Sequence, residues 1–238
     1  MTAAATLDNG AGFRPMSYRT PSSSCEIVVT TPAAAPSLWE EYLDGALATY
    51  GAHGVASALD LDQIRDGEST SLFFVAFAPD GRAVGGMRSQ GPYTTADQAH
   101  AVGEWEGNPD QPIVRAMVDD RLPFGVVESK TAWVTREFEG RRELVSCLSR
   151  APLHASQLLG ARYALGTSAA HTMPMWTSSG AVAATGLSSV GYPTADYRTV
   201  VLWWDRWALP GTVAGSEKRV IDDEMAQLLG PPVAVGGR

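Results

Sequence analysis

Between residues 124 and 160 the pattern of apolar and polar positions changes period. A strand-like run over 126–138 gives way to Glu139-Gly140-Arg141-Arg142, and apolar residues then recur at helical spacing. Leu144, Leu148, Ala151, Ala155 and Leu158 stand at i, i+4, i+7, i+11 and i+14, which places them on one stripe of a helix. Gly160 occupies the position of a C-terminal cap. Pro152 predicts a kink or an early end, because an interior proline removes a backbone hydrogen bond.

Upstream, residues 26–30 predict a strand. Residues 37–50 predict a helix with Trp39, Tyr42, Leu43, Ala46 and Leu47 facing inward, Ser37 as N-cap and Glu40 three residues on, and 59–65 predict a second helix. Two apolar runs, 71–78 and 83–88, flank Pro79-Asp80-Gly81-Arg82 and predict a hairpin. Residues 91–112 read as irregular and 113–118 as a short helix. Downstream come a strand over 163–168, a short helix over 172–179 ended by Gly180, an apolar strand over 197–204 and an amphipathic helix within 217–229. This organisation predicts a flexible N-terminal arm (1–24), one domain (25–212), and a C-terminal helix and tail (213–238) that frays at Gly230-Pro231-Pro232 and Gly236-Gly237.

Composition narrows the function classes. A net charge of -8 and a pI near 5.0 argue against general nucleic-acid affinity, which needs a basic face. Cys25 and Cys147 are far apart and predict reduced thiols. His53, His100, His154 and His171 show no H-x-x-x-H spacing, so no metal site is expected. The absence of a continuous apolar run at the N-terminus leads to a cytoplasmic expectation. Residues 163–195 contain no Asp, Glu, Lys or Arg, yet their Gly, Pro, Ser, Thr and His content does not suit a membrane span; a core segment or the lining of an apolar pocket is expected.

The transition at Glu139-Gly140-Arg141-Arg142 is the first chemical signal. The first turn of a helix has N–H groups without intrahelical partners and carries partial positive charge, and a glycine admits close approach, a combination that suits a pyrophosphate. The alternative is a pair of solvated surface arginines.

The order of hairpin, long strand, glycine-arginine helix start and later strand-helix-strand resembles the GNAT acyltransferase superfamily. Within it, Phe73-Phe74-Val75-Ala76 followed by Asp80-Gly81-Arg82-Ala83-Val84-Gly85-Gly86-Met87-Arg88 is similar to the D-x-x-G-x-x-x-G-x-x-R-like hairpin of acyl-homoserine-lactone synthases and N-acyl amino acid synthases. Glu128-Ser129-Lys130-Thr131-Ala132-Trp133-Val134 is similar to their E-x-S-R-F-x-V strand, with Lys130 in place of the serine and Thr131 in place of the arginine. The superfamily's R/Q-x-x-G-x-G/A pattern has a degenerate counterpart in Arg136 and Gly140, which stand four positions apart rather than three and are followed by arginines.

The resemblance implies an α/β fold with a mixed, mostly antiparallel central sheet flanked by helices. It implies transfer of an acyl group from acyl-CoA, or from an acyl carrier protein, to the amine of a small molecule such as an amino acid derivative, without a metal or a protein nucleophile. Glu128 would be the general base, with an ion pair to Arg88 or Lys130 as its structural alternative, and Tyr197 the acid for the leaving thiolate. A backbone N–H near Val134 or Thr135 would hold the oxyanion, and Arg136, Gly140, Arg141 and Arg142 the donor. Arg88, Trp133 and Trp176 would contact substrate, and Trp203 and Trp204 are further aromatic candidates for an acyl pocket. Arg150 would join the other arginines in a patch for an acidic carrier, and a homodimer is compatible with the family. Two competing readings stand beside this one: a hydrolase using Gly166-Thr167-Ser168 and His171, and a GNAT-like scaffold that binds a ligand or partner without transferase activity.

Overall fold

Eight strands hydrogen-bond side by side in the order β1-β2-β3-β4-β5-β6-β8-β7 in the computed structural model, which describes residues 13–20, 22–211 and 213–230. In chain order the strands are β1 Met16–Arg19, β2 Glu26–Thr30, β3 Leu72–Phe77, β4 Ala83–Gln90, β5 Val126–Val134, β6 Tyr163–Ala169, β7 Val182–Ala183 and β8 Thr199–Asp205. Every neighbouring pair is antiparallel except β5 and β6. The helices are α1 Pro36–Ala52, α2 Leu61–Ile64, α3 His100–Glu104, α4 Gln111–Asp119, α5 Arg141–Leu148, α6 Ala151–Leu158, α7 Met173–Ser178 and α8 Gly215–Leu229. This is the expected mixed, mostly antiparallel sheet with helices on both faces.

β3 shows how sequence sets the layers. Successive side chains on a strand point to opposite faces. Phe73 and Val75 therefore pack with Trp39, Tyr42, Leu43 and Ala46 of α1, whereas Leu72, Phe74 and Ala76 pack under α5, α6 and α8. A strand covered on both faces must be apolar throughout, as Leu-Phe-Phe-Val-Ala is.

The helical stripe is placed as expected. Leu144, Leu148, Ala151, Ala155 and Leu158 are all buried in one cluster. The predicted interruption occurs just before Pro152: α5 ends at Leu148, and Pro152 sits in the first turn of α6, where a missing N–H is tolerated. Gly160 follows α6 with φ +70°, a cap conformation that suits glycine.

Several expectations are corrected. Within the segment expected as a loose arm, Met16–Arg19 is an edge strand whose Tyr18 is buried under α8; residues 1–12 lie outside the described residues, as do 231–238 of the expected tail. α1 begins at Pro36 with Ala35 as N-cap and no side-chain cap, so Ser37 does not cap it, and Leu47 is exposed. The 91–112 region contains α3 and the start of α4. β5 stops at Val134 rather than 138, and β8 starts at Thr199, leaving Tyr197 in the preceding loop.

Candidate active site

The sheet splits in the middle, and the cause is local. β5 and β6 pair in parallel only from Val126–Tyr163 to Glu128–Leu165. β6 continues against β8 as far as Ala169, and β5 continues against β4 as far as Val134. Opposite the single residue Met87 of β4, β5 has two residues, Thr131 and Ala132, between its paired Lys130 and Trp133. This is a β-bulge, and Thr131 takes φ +53° within it. Tyr42 of α1 donates its hydroxyl hydrogen to the Thr131 carbonyl at 2.7 Å, and Tyr50 donates to the Ala132 carbonyl at 3.4 Å. The bulge bends β5 away from β6 and opens a cleft of ≈ 410 Å³ between residues 129–134 and 166–169, within the range of small-molecule sites.

The backbone inside the cleft has a free edge. Thr135 donates its N–H to Val84 of β4 at 2.9 Å, so it cannot serve as an oxyanion donor. Strand alternation then turns the Val134 N–H the other way, toward β6, and Val134 lines the cleft. Of the two expected oxyanion donors, the geometry keeps Val134.

A carboxylate and an amine set the charge inside the cleft, beside two tyrosine hydroxyls. Glu104, at the end of α3, has a side chain only 3% exposed. Its Oε1 faces Nδ1 of His100 at 2.7 Å and accepts the Thr167 hydroxyl at 3.0 Å, while its Oε2 is buried with no partner among the described residues. Lys130 projects from β5 into the same cleft and makes no hydrogen bond or ion pair among the described residues. Burial lowers its pKa to about 8, and the neighbouring Arg88 guanidinium pushes the same way against the pull of Glu128 and Glu104. The Tyr50 hydroxyl, also in the cleft, is raised to about 12 by burial. Tyr192, in the loop before β8, lines the cleft too and is likewise raised by burial.

The structure sorts the sequence candidates. Tyr197, Val134, Trp133, Trp176 and Arg141 line the cleft. Trp133 packs on Tyr42 and on α1 at Gly45, and Trp176 donates its indole N–H to the Ser168 hydroxyl oxygen at 2.8 Å. Glu128 is elsewhere. It is buried behind the cleft wall, where its carboxylate accepts the Tyr93 hydroxyl at 2.7 Å and the backbone N–H groups of His100 at 2.8 Å and Ala101 at 2.9 Å. No ion pair joins it to Arg88 or Lys130 among the described residues. Arg88 is buried against Thr70 and the bulge residue Thr131 and does not reach the cleft.

At the mouth of the cleft Gly140 is the N-cap of α5, and Arg136, Arg141 and Arg142 are exposed without ion pairs among the described residues. Glu137, Glu139 and Glu143 are interspersed with them, so local charge is balanced and the anion-binding capacity rests on the helix start as well as the arginines. Arg150 is corrected outright. It is buried in an ion pair with Glu224 at 2.6 Å and cannot belong to a surface patch. The hydrolase arrangement is also absent: the Ser168 hydroxyl bonds Thr172 at 2.6 Å and accepts from Trp176, not His171.

Glu104 is the principal residue that sequence reasoning missed. Its signal was the i, i+4 spacing His100-x-x-x-Glu104, hidden in a stretch without helical apolar periodicity.

No family model matches the sequence. The chain is 46% identical over 187 residues to an uncharacterized protein of Mycobacterium tuberculosis and equally to one of Mycobacterium bovis, covering 79% of this chain and 71% of each relative. Among solved structures it superimposes on FeeM, an N-acyl amino acid synthase from uncultured soil microbes, with a TM-score of 0.59 and 13% identity over 82% of this chain and 98% of that one. The shared architecture is the GNAT acyltransferase fold.

Proposed function

This chain belongs to the family of those mycobacterial proteins and has the GNAT fold, and on that premise we propose that it is an N-acyltransferase acting on a small amine. The observation that carries the proposal is the split between β5 and β6. A bent strand offers the outward-facing Val134 N–H in a cleft that also holds a carboxylate, an amine and tyrosine hydroxyls. A donor thioester laid along β5 places its carbonyl oxygen at that N–H, which stabilises the negative charge that develops there. The amine attacks directly, so the protein's work is orientation and proton transfer.

The donor is an acyl thioester of CoA, or of an acyl carrier protein, with its phosphate at the start of α5 beside Arg136, Arg141 and Arg142. Tyr197 remains the candidate acid for the thiolate, since it lines the cleft. Lys130, an amine on the wall without an ion pair among the described residues, supplies a counter-charge for an acceptor that carries a carboxylate, such as an amino acid derivative.

Calorimetry and thermal shift with acyl-CoAs from acetyl to long chain test this reading. Saturable binding of one length class that is lost in Arg141→Ala/Arg142→Ala, followed by amide formation with an amine panel, is the expected result. Absence of binding together with absence of transfer from acyl-loaded carrier protein would favour a scaffold without transferase activity.

A further inference from the structure

We propose that Glu104 is the base that takes the proton from the acceptor amine, and that His100 links it to solvent. The assignment rests on the acyl-transfer reading and names a residue pair for it.

Two carboxylates compete for this role, and their surroundings separate them. Glu128 is occupied by one hydroxyl and two backbone N–H donors, lies behind the wall and has no access to the cleft. Protonating it would loosen the start of α3. Glu104 sits at the other end of the same short helix. The residue lines the cleft; one of its oxygens is fixed by His100 and Thr167, and the other is buried with no hydrogen-bond partner among the described residues. A buried carboxylate oxygen without a donor is rare. An acceptor ammonium placed there would supply the missing hydrogen bonds. Glu128 is thus a positioning residue: it anchors the N–H groups of His100 and Ala101, and α3 presents Glu104 to the cleft.

The chemistry balances. The acceptor enters as an ammonium and gives one proton to Glu104, and its nitrogen lone pair then forms the C–N bond to the thioester carbonyl. Collapse of the tetrahedral intermediate breaks the C–S bond, and the second nitrogen proton goes with the departing thiolate as a thiol. One proton is released overall. It leaves Glu104 through the His100 ring, whose side chain is 35% exposed at 2.7 Å from Oε1.

The test uses the full chain with acyl-CoAs and acyl-loaded carrier protein as donors, and common amino acids and simple primary amines as acceptors, reading amide product by mass spectrometry and donor affinity by calorimetry. Glu104→Gln is expected to lower kcat by about 10²–10⁴-fold with donor Kd unchanged within about twofold. Added formate is expected to restore part of the rate of Glu104→Ala, which a purely structural role would not allow. His100→Gln is expected to lower kcat at unchanged KM. Should Glu104→Gln fail to fold, Glu104→Asp, with its carboxylate withdrawn by one methylene, is expected to lose about a hundredfold. Turnover of the folded Gln or Asp variant within about threefold of wild type overturns Glu104 as base and leaves acyl transfer standing. No amide from the wild-type protein with any pair overturns the acyl-transfer reading and this assignment together.

Discussion

At the scale of single residues, two side chains on the cleft wall invite measurement. A Cβ on Gly45 would lie 2.2 Å from the Trp133 ring, which is itself buried against Tyr42. Gly→Ala inside a helix ordinarily gains up to about 1 kcal/mol. Here overpacking at about 1–3 kcal/mol outweighs it. Gly45→Ala is therefore expected to lower the urea midpoint and, because the ring is cleft wall, to weaken donor binding. Lys130 gives a pH signature. Its folded pKa of about 8 lies below the ordinary lysine value of 10.5, so above pH 8 the unfolded chain binds more protons than the folded one. Stability is expected to rise from about pH 8 toward pH 10 by about 1–3 kcal/mol, and this rise should vanish in Lys130→Met. Urea titrations of both proteins across that window provide the check. A flat wild-type profile would mean that Lys130 stays well solvated.

At the scale of elements, the bulge in β5 and the start of α5 divide the work. The Tyr42 hydroxyl holds the Thr131 carbonyl while Thr131 occupies positive φ. Tyr42→Phe leaves that carbonyl unsatisfied and is expected to destabilise the protein by about 1–3 kcal/mol, with a larger relative loss of donor affinity as β5 relaxes toward β6. Equal losses of stability and affinity would show that the bulge does not depend on this bond. Arg141→Ala/Arg142→Ala makes the opposite contrast. Both side chains are exposed and unpaired among the described residues, so stability should stay within about 0.5 kcal/mol while donor Kd rises at least about tenfold.

Much at this scale was legible in the sequence. β2, the hairpin, α5, α6 and β6 follow directly from apolar spacing and turn residues, and the Pro152 interruption from the absence of one N–H. α3 was not legible, because a helix of five residues has too few positions to show a period. The cap of α1 was misplaced because a proline at the first helical position competes with a serine cap one residue later.

At the scale of the whole molecule, β1 and α8 are joined to the start of α6 by a buried ionic cluster. Glu224 of α8 accepts from Arg150 at 2.6 and 2.8 Å and bonds Nε2 of His154 at 2.8 Å, next to Tyr18 of β1. Burial alone would raise the Glu224 pKa, but the hydrogen bonds from His154 and Arg150 outweigh it and hold the carboxyl below its ordinary range. The sign follows. A depressed folded pKa contributes stability above about pH 4.5 that is lost as pH falls through the folded value. Glu224→Gln leaves the Arg150 charge short of its main partner and is expected to cost about 3–5 kcal/mol at neutral pH, with the acid-dependent part of the wild-type profile removed; urea unfolding at pH 7 and about pH 4 measures both. The cluster also explains why Arg150 misleads in sequence. An arginine after a basic helix start reads as surface charge until a glutamate 74 residues away is seen against it.

The sequence by itself determined most of the longer strands and helices, because their spacing depends on neighbours a few positions apart, while β1, β7 and α3 escaped it. It also carried the resemblance to the GNAT fold through its hairpin and long strand. The tertiary structure alone decided which carboxylate faces the cleft. In the sequence Glu128 carried the expectation of a base, through the resemblance, and Glu104 carried none. Only the meeting of Thr167 and Glu104 across 63 residues, with two backbone N–H groups closing on Glu128, commits one to anchoring a helix and leaves the other an oxygen without a hydrogen-bond partner among the described residues. Burial and hydrogen-bond satisfaction are properties of a site in space, and no periodicity along the chain encodes them.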